Sequence, residues 1–169
     1  IIDENTQPII VTDAGYKTTW FKEVIALGWD FAGRVRKPMM YVNQKDDWEH
    51  TSELYKRATS QPIGFASHIC RSQPLACTLV LFKGKNKGRH SLTRHNIPRQ
   101  YKCSKVHARG ATDPWLIATS LPRSKSLVKK IVASYRLRMQ FEEEFRDIKS
   151  SLFELGFEKH KSVCLQSIH

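Results

Sequence analysis

Apolar positions along the 169 residues change their period twice. Residues 8 to 13, PIIVTD, form a short apolar run closed by Asp13, Ala14 and Gly15, which predicts a buried strand ending in an acid. In TTWFKEVIALG, Phe21, Val24 and Ile25 recur at helical spacing before the stop signal Gly28, so a helix of about ten residues follows. WDFAGRVR, residues 29 to 36, alternates as a second strand does. Strand, helix and strand in this order begin an α/β layer with a parallel sheet.

The middle of the chain reads differently. From Pro38 to Pro122, short strand candidates (MMYV, LACTLVLF, PWLIATS) are separated by Gly, Pro, Ser and charge clusters, with no helical period, which predicts a β-rich insertion. GKNKGRH, residues 84 to 90, has the composition of a hairpin tip. Helical periodicity returns beyond Pro122, with Ser124 or Ser126 as the N-cap of a long helix. Three segments result: 1–37, 38–122 and 123–169.

The last helix contains YRLRMQFEEEFRDIK, residues 135 to 149. At about 100° per residue, Leu137, Phe141, Phe145, Ile148 and Leu152 fall within roughly 80°, an apolar stripe expected to face a core. Tyr135, Arg138, Glu142 and Lys149 share a second arc of roughly 60°, about a quarter turn away. Glu142 thus borders the expected buried surface, whereas Glu143 and Glu144 point to solvent. Ion pairing along the helix is the plain reading of this face.

The net charge of +12 is concentrated. From Leu54 to Thr112 there is no Asp or Glu, and there are 12 Lys or Arg, among them Lys83, Lys85, Lys87 and Arg89. Taking those 12 from the 28 Lys and Arg leaves 16, the same as the acidic count, so the whole excess lies in this block. A solvated face usually mixes both signs, so the block predicts a polyanion partner, nucleic acid, bound in a salt-dependent way. LACTLVLF is far too short for a membrane span and no signal segment opens the chain, so a soluble, intracellular protein is expected. Cys70, Cys77, Cys103 and Cys164 show no C-x-x-C pair, which predicts reduced thiols. Cys103 with His107, and His90 with His95, have loose zinc-like spacing but lack a tight cysteine pair.

An acid at a strand tip and another on a helix edge are what a divalent-metal phosphoryl-transfer site needs. Mg²⁺ takes a few carboxylates and keeps positions open for water and phosphate oxygens, and two ions about 4 Å apart serve an in-line displacement. Asp13 and Glu142 are the candidates, expected to converge within metal-bridging reach. Each has a plainer alternative: Asp13 as a cap of the following helix, Glu142 as an ion-pair partner of Arg138 or Arg146. A third carboxylate is not in view.

The spacing Tyr135-x2-Arg138-x3-Glu142-x6-Lys149 resembles the Y-R-E-K signature of the DDE transposases of bacterial insertion sequences, in the IS-four group. VTDAGYKTTWFKEVIALGWDFAGRVR is similar to the segment around that family's second catalytic Asp, and DPWLIATSLP to the strand leading into the signature helix. The resemblance covers nearly the whole chain. It implies an RNase H-like core interrupted by a β-rich insertion, with Asp13 as the second metal-binding acid and Glu142 as the third. It further implies Mg²⁺ as cofactor, with Mn²⁺ able to substitute, and cytoplasmic action on transposon ends and target DNA by a homodimer. Tyr135, Arg138 and Lys149 would hold phosphates of the transposon end. Trp115 would stack on a flipped base, against the alternative of a core tryptophan, and the basic insertion would track the DNA backbone.

One departure stands out. The family's first catalytic Asp lies upstream of the segment matched by residue 8, and Asp3 is too close to supply it. The expectation is therefore a fragment lacking the first strands, the DNA-binding region and the dimerisation tail, and catalytically dead alone.

Overall fold

The computed structural model describes residues 6–36, 38–84, 97, 100–103, 105 and 112–148. The chain divides into two compact units, Ile1–Tyr135 and Arg136–His169.

The first unit is built on a mixed seven-stranded sheet. Its elements are β1 (Ile9–Thr12), α1 (Thr18–Ala26), β2 (Asp30–Val35), β3 (Met40–Val42), β4 (Trp48–His50), α2 (Thr51–Tyr55), β5 (Ile63–Ile69), β6 (Leu75–Phe82) and β7 (Trp115–Thr119), followed by α3 (Lys125–Ile148). The strand order is β1-β2-β7-β6-β5-β3-β4. β1 and β2 are parallel across the α1 crossover, as expected of strand-helix-strand, and the remaining pairs are antiparallel. β7 lies between β2 and β6, so the β-rich middle of the chain continues the sheet that the first segment begins.

The pleat assigns each helix a face. Phe31, Val35, Leu79, Leu81, Leu116 and Ala118 join Phe21 and Val24 of α1 and Leu54 of α2 in one core. On the opposite face α3 lays down Val128, Ile131, Val132 and Tyr135, all at most 6% exposed. Two glycines permit these approaches. A Cβ on Gly33 would fall 2.3 Å from the Phe21 ring, and one on Gly64 would fall 2.5 Å from Val128 Cγ2. Phe21 stacks on Phe31 at 4.3 Å directly over the first of them.

Three sequence expectations change. The β1 run is expected to be a buried strand, but among the described strands it pairs with β2 alone, and Ile9 is 46% exposed. The stripe Leu137, Phe141, Phe145 and Ile148 was expected to face a core, yet these residues are 45–62% exposed. α3 docks through an earlier row, beginning at Val128, and the stripe starts only where that row's last buried residue, Tyr135, has passed. Finally, β4, α2 and β5 add a strand, a short helix and a second strand where the sequence shows no clear period. Ser124 is the N-cap: its Oγ accepts the Leu127 N–H at 3.0 Å.

The β3–β4 hairpin is pinned by a polar cluster. The Glu49 carboxylate accepts Asn43 Nδ2 at 2.7 Å and the Tyr41 hydroxyl at 2.9 Å. Those two bonds hold Glu49 below the usual carboxylate range, Asn43 contributing most. Burial first, then the bond to Glu49, pushes Tyr41 up to about 12.

Candidate active site

Asp13 stands at the C-terminal tip of β1, half-buried. Its Oδ1 accepts the Gly15 N–H at 2.9 Å, a turn closed by the side chain itself. It does not cap α1, whose N-cap Lys17 makes no side-chain capping bond. The alternative role considered for Asp13 therefore falls away.

Thr12 is paired in register with Gly33, so Asp13 stands level with Arg34 on β2. The sequence signal for Arg34 is a lone charge inside FAGRV. Arg34 is 6% exposed, on the α3 side of the sheet, where alternation from Phe31 and Gly33 puts it. Its Nε is sealed from solvent without a hydrogen bond, as is Thr12 Oγ1. Among the described residues the Arg34 guanidinium makes no ion pair and no hydrogen bond.

Two further features reach this end of the sheet. α3 runs back across its face until Tyr135, 1% exposed, meets the Trp115 ring edge-on at 4.9 Å. Trp115 also lies 5.8 Å from Phe82, so its ring sits in an aromatic cluster, half-buried. Phe82 pairs with Trp115 at the ends of β6 and β7. The chain thus leaves the sheet at Lys83 and re-enters at Trp115, both at the Asp13 end. Lys83 is exposed, with its backbone N–H bonded to Thr59 O at 2.8 Å.

In the second unit Arg138 Nη2 donates to Glu142 Oε1 at 2.6 Å, with side chains 21% and 48% exposed respectively. The plain ion pair of Glu142 with Arg138 is present. Lys85, Lys87, Arg89 and Lys149 lie outside the described residues, as do His90, His95 and His107. Among the described residues no group of three His, Cys, Asp or Glu could hold a metal ion. The carboxylates of Asp13 and Glu142 are hard oxygen donors of the kind Mg²⁺ prefers, and each has partial access to solvent.

A concavity of about 600 Å³ opens at the opposite end, between the β3–β4 turn and the β7–α3 loop. It is lined by Asn43, His68, Thr78, Ser120 and Arg123 among others and has no part in the Asp13 geometry.

Compared with known families, residues 1–164 match the model described as the transposase DDE domain. The chain belongs to that family. A DDE transposase acts on DNA and generally uses divalent metal ions, in keeping with carboxylates as the candidate ligands. No curated protein matches the chain. No described helix of this transposase domain is long and apolar enough to cross a membrane.

Proposed function

We propose that the chain carries the second and third metal-binding acids of an RNase H-like insertion-sequence transposase of the Y-R-E-K group, Asp13 and Glu142. Segments 1–37 and 123–169 belong to the catalytic core in this reading, and 38–122 is its basic insertion. The observation that supports it most is the position of Asp13. A carboxylate at a strand tip sits at the sheet end where α3 arrives and where the chain departs into, and returns from, its most basic stretch.

Asp13 and Glu142 would hold the divalent ions, which when bound would lend Lewis acidity to the phosphodiester and the attacking oxygen. The chain's own residues do the rest. Arg138 orients Glu142 through the 2.6 Å bond and, with Tyr135 and Lys149, holds transposon-end phosphates. Lys83, Lys85, Lys87 and Arg89 track the DNA backbone, which makes binding weaken steeply with salt. Trp115 is the flipped-base platform, and to serve as one its ring must leave the edge-on packing with Tyr135. The full transposase acts as a cytoplasmic, nucleoid-associated homodimer, hydrolysing the transposon end, passing through a hairpin formed by the freed 3′-OH and joining the ends to target DNA.

The test is a pair of substitutions in a full-length transposase carrying this domain. Glu142→Gln abolishes Mg²⁺-dependent strand nicking, whereas Glu143→Gln leaves it largely intact; equal losses overturn the assignment. With two acids of the three-carboxylate set assigned, we infer that the 169 residues alone grip duplex DNA without cutting it in Mg²⁺ or Mn²⁺. Cleavage by the isolated chain would refute that.

A further inference from the structure

Among the described residues of the first unit, Arg34 is a buried cation whose charge no described group neutralises. An arginine cannot shed its proton, so a guanidinium that is 6% exposed, with Nε sealed and unbonded, carries a desolvation cost that no protein group offsets. Polar groups left in this state in a folded protein call for an explanation, and a ligand absent from the structure is one. The register narrows the choice. Arg34 is level with Asp13, and its partner across β2–β7 is Ile117, so no acid stands beside it on that side. The Lys and Arg excess of the chain makes an organic cation an implausible visitor and an anion a favoured one.

We propose that Arg34 is a phosphate-binding residue: its guanidinium takes a non-bridging oxygen of a DNA phosphodiester beside Asp13, and the bound phosphate supplies the missing countercharge. A planar fork suits a phosphate better than an ammonium does, which explains an arginine in a strand whose other residues after Asp30 are Phe, Ala, Gly and Val. The proposal rests on the transposase reading for its ligand, but the unneutralised charge is independent of it.

The experiment uses the whole 169-residue chain and measures two quantities for Arg34→Met, Arg34→Lys and wild type: affinity for a fluorescent duplex oligonucleotide in EDTA across a salt series, and thermal stability without DNA. For Arg34→Met, affinity falls about tenfold or more at low salt and the slope of log affinity against log salt drops by about one, while the melting temperature holds or rises. Arg34→Lys keeps the salt slope but loses affinity, because the charge remains and the fork does not. Inorganic phosphate in place of DNA separates the sources: raising the melting temperature of wild type but not of Arg34→Met, without any change in DNA binding between the two, would mean a free anion and overturn the DNA assignment. An unchanged salt slope, or an Arg34→Met chain that melts lower or fails to fold, would show a structural arginine and overturn the proposal. Failure of the transposase reading looks different, since wild type itself would then show no salt-dependent DNA binding.

Discussion

The two ends of the β2–β7 ladder hold similar residues in opposite conditions. At the Asp30 end every hydroxyl is used. Ser120 Oγ accepts the Phe31 N–H at 3.1 Å and donates to Asp30 Oδ1 at 2.6 Å; Thr119 Oγ1 donates to Phe31 O at 2.6 Å; Thr78 Oγ1 donates to Leu121 O at 2.8 Å. At the Asp13 end, Thr12 Oγ1 and Arg34 Nε are equally buried and bonded to nothing. Burial alone does not decide how well a polar group is satisfied. One end is finished by the protein's own atoms and serves the fold; the other is left incomplete, as a site that receives something from outside is.

Substitutions at the two ends should therefore behave oppositely. Ser120→Ala has the largest expected effect: it strands the Phe31 N–H and removes a donor from Asp30, lowering stability by about 1–3 kcal/mol, read as a lower urea midpoint at constant slope. Thr119→Val, of matched shape, removes the bond to Phe31 O and lowers stability by about 1 kcal/mol. The same change at Thr12 deletes a hydroxyl that has no partner, so Thr12→Val should be neutral or up to about 1 kcal/mol more stable. A loss there as large as at Thr119 would erase the contrast between the ends. The smallest effect concerns the satisfied β3–β4 cluster. Because Asn43 and Tyr41 hold the folded Glu49 below its ordinary range, its contribution is present above the unfolded value and fades as the pH falls through the folded one. Glu49→Gln should flatten that acid limb by removing a small contribution from the neutral side, leaving stability at low pH nearly unchanged.

What could be read without coordinates follows from period. β1, α1, β2, β3, β6, β7 and α3 each carry a repeat or a bounded apolar run, and Ser124 announces the helix start. β5 (IGFASHI) did not, because Gly64, Ala66 and His68 dilute its alternation; Gly64 is small for a reason only packing supplies, the seat of Val128. α2 is five residues long, below the reach of any helical period. Of the candidate site residues, Asp13 draws notice from its place after an apolar run and Glu142 from its spacing along one helix. Arg34 does not, since the consequence of a charge inside a strand depends on what the neighbouring strands and α3 place over it.

The clasp formed where Phe82 meets Trp115 has a bearing on how such a protein diversifies. Whatever lies between Lys83 and Pro114 begins and finishes at adjacent rungs, so the sheet has already met the cost of bringing those two points together. Insertions, deletions or wholesale replacement there would tax stability only slightly, and DNA preference could drift through that excursion while the carboxylate-bearing frame stayed as it is.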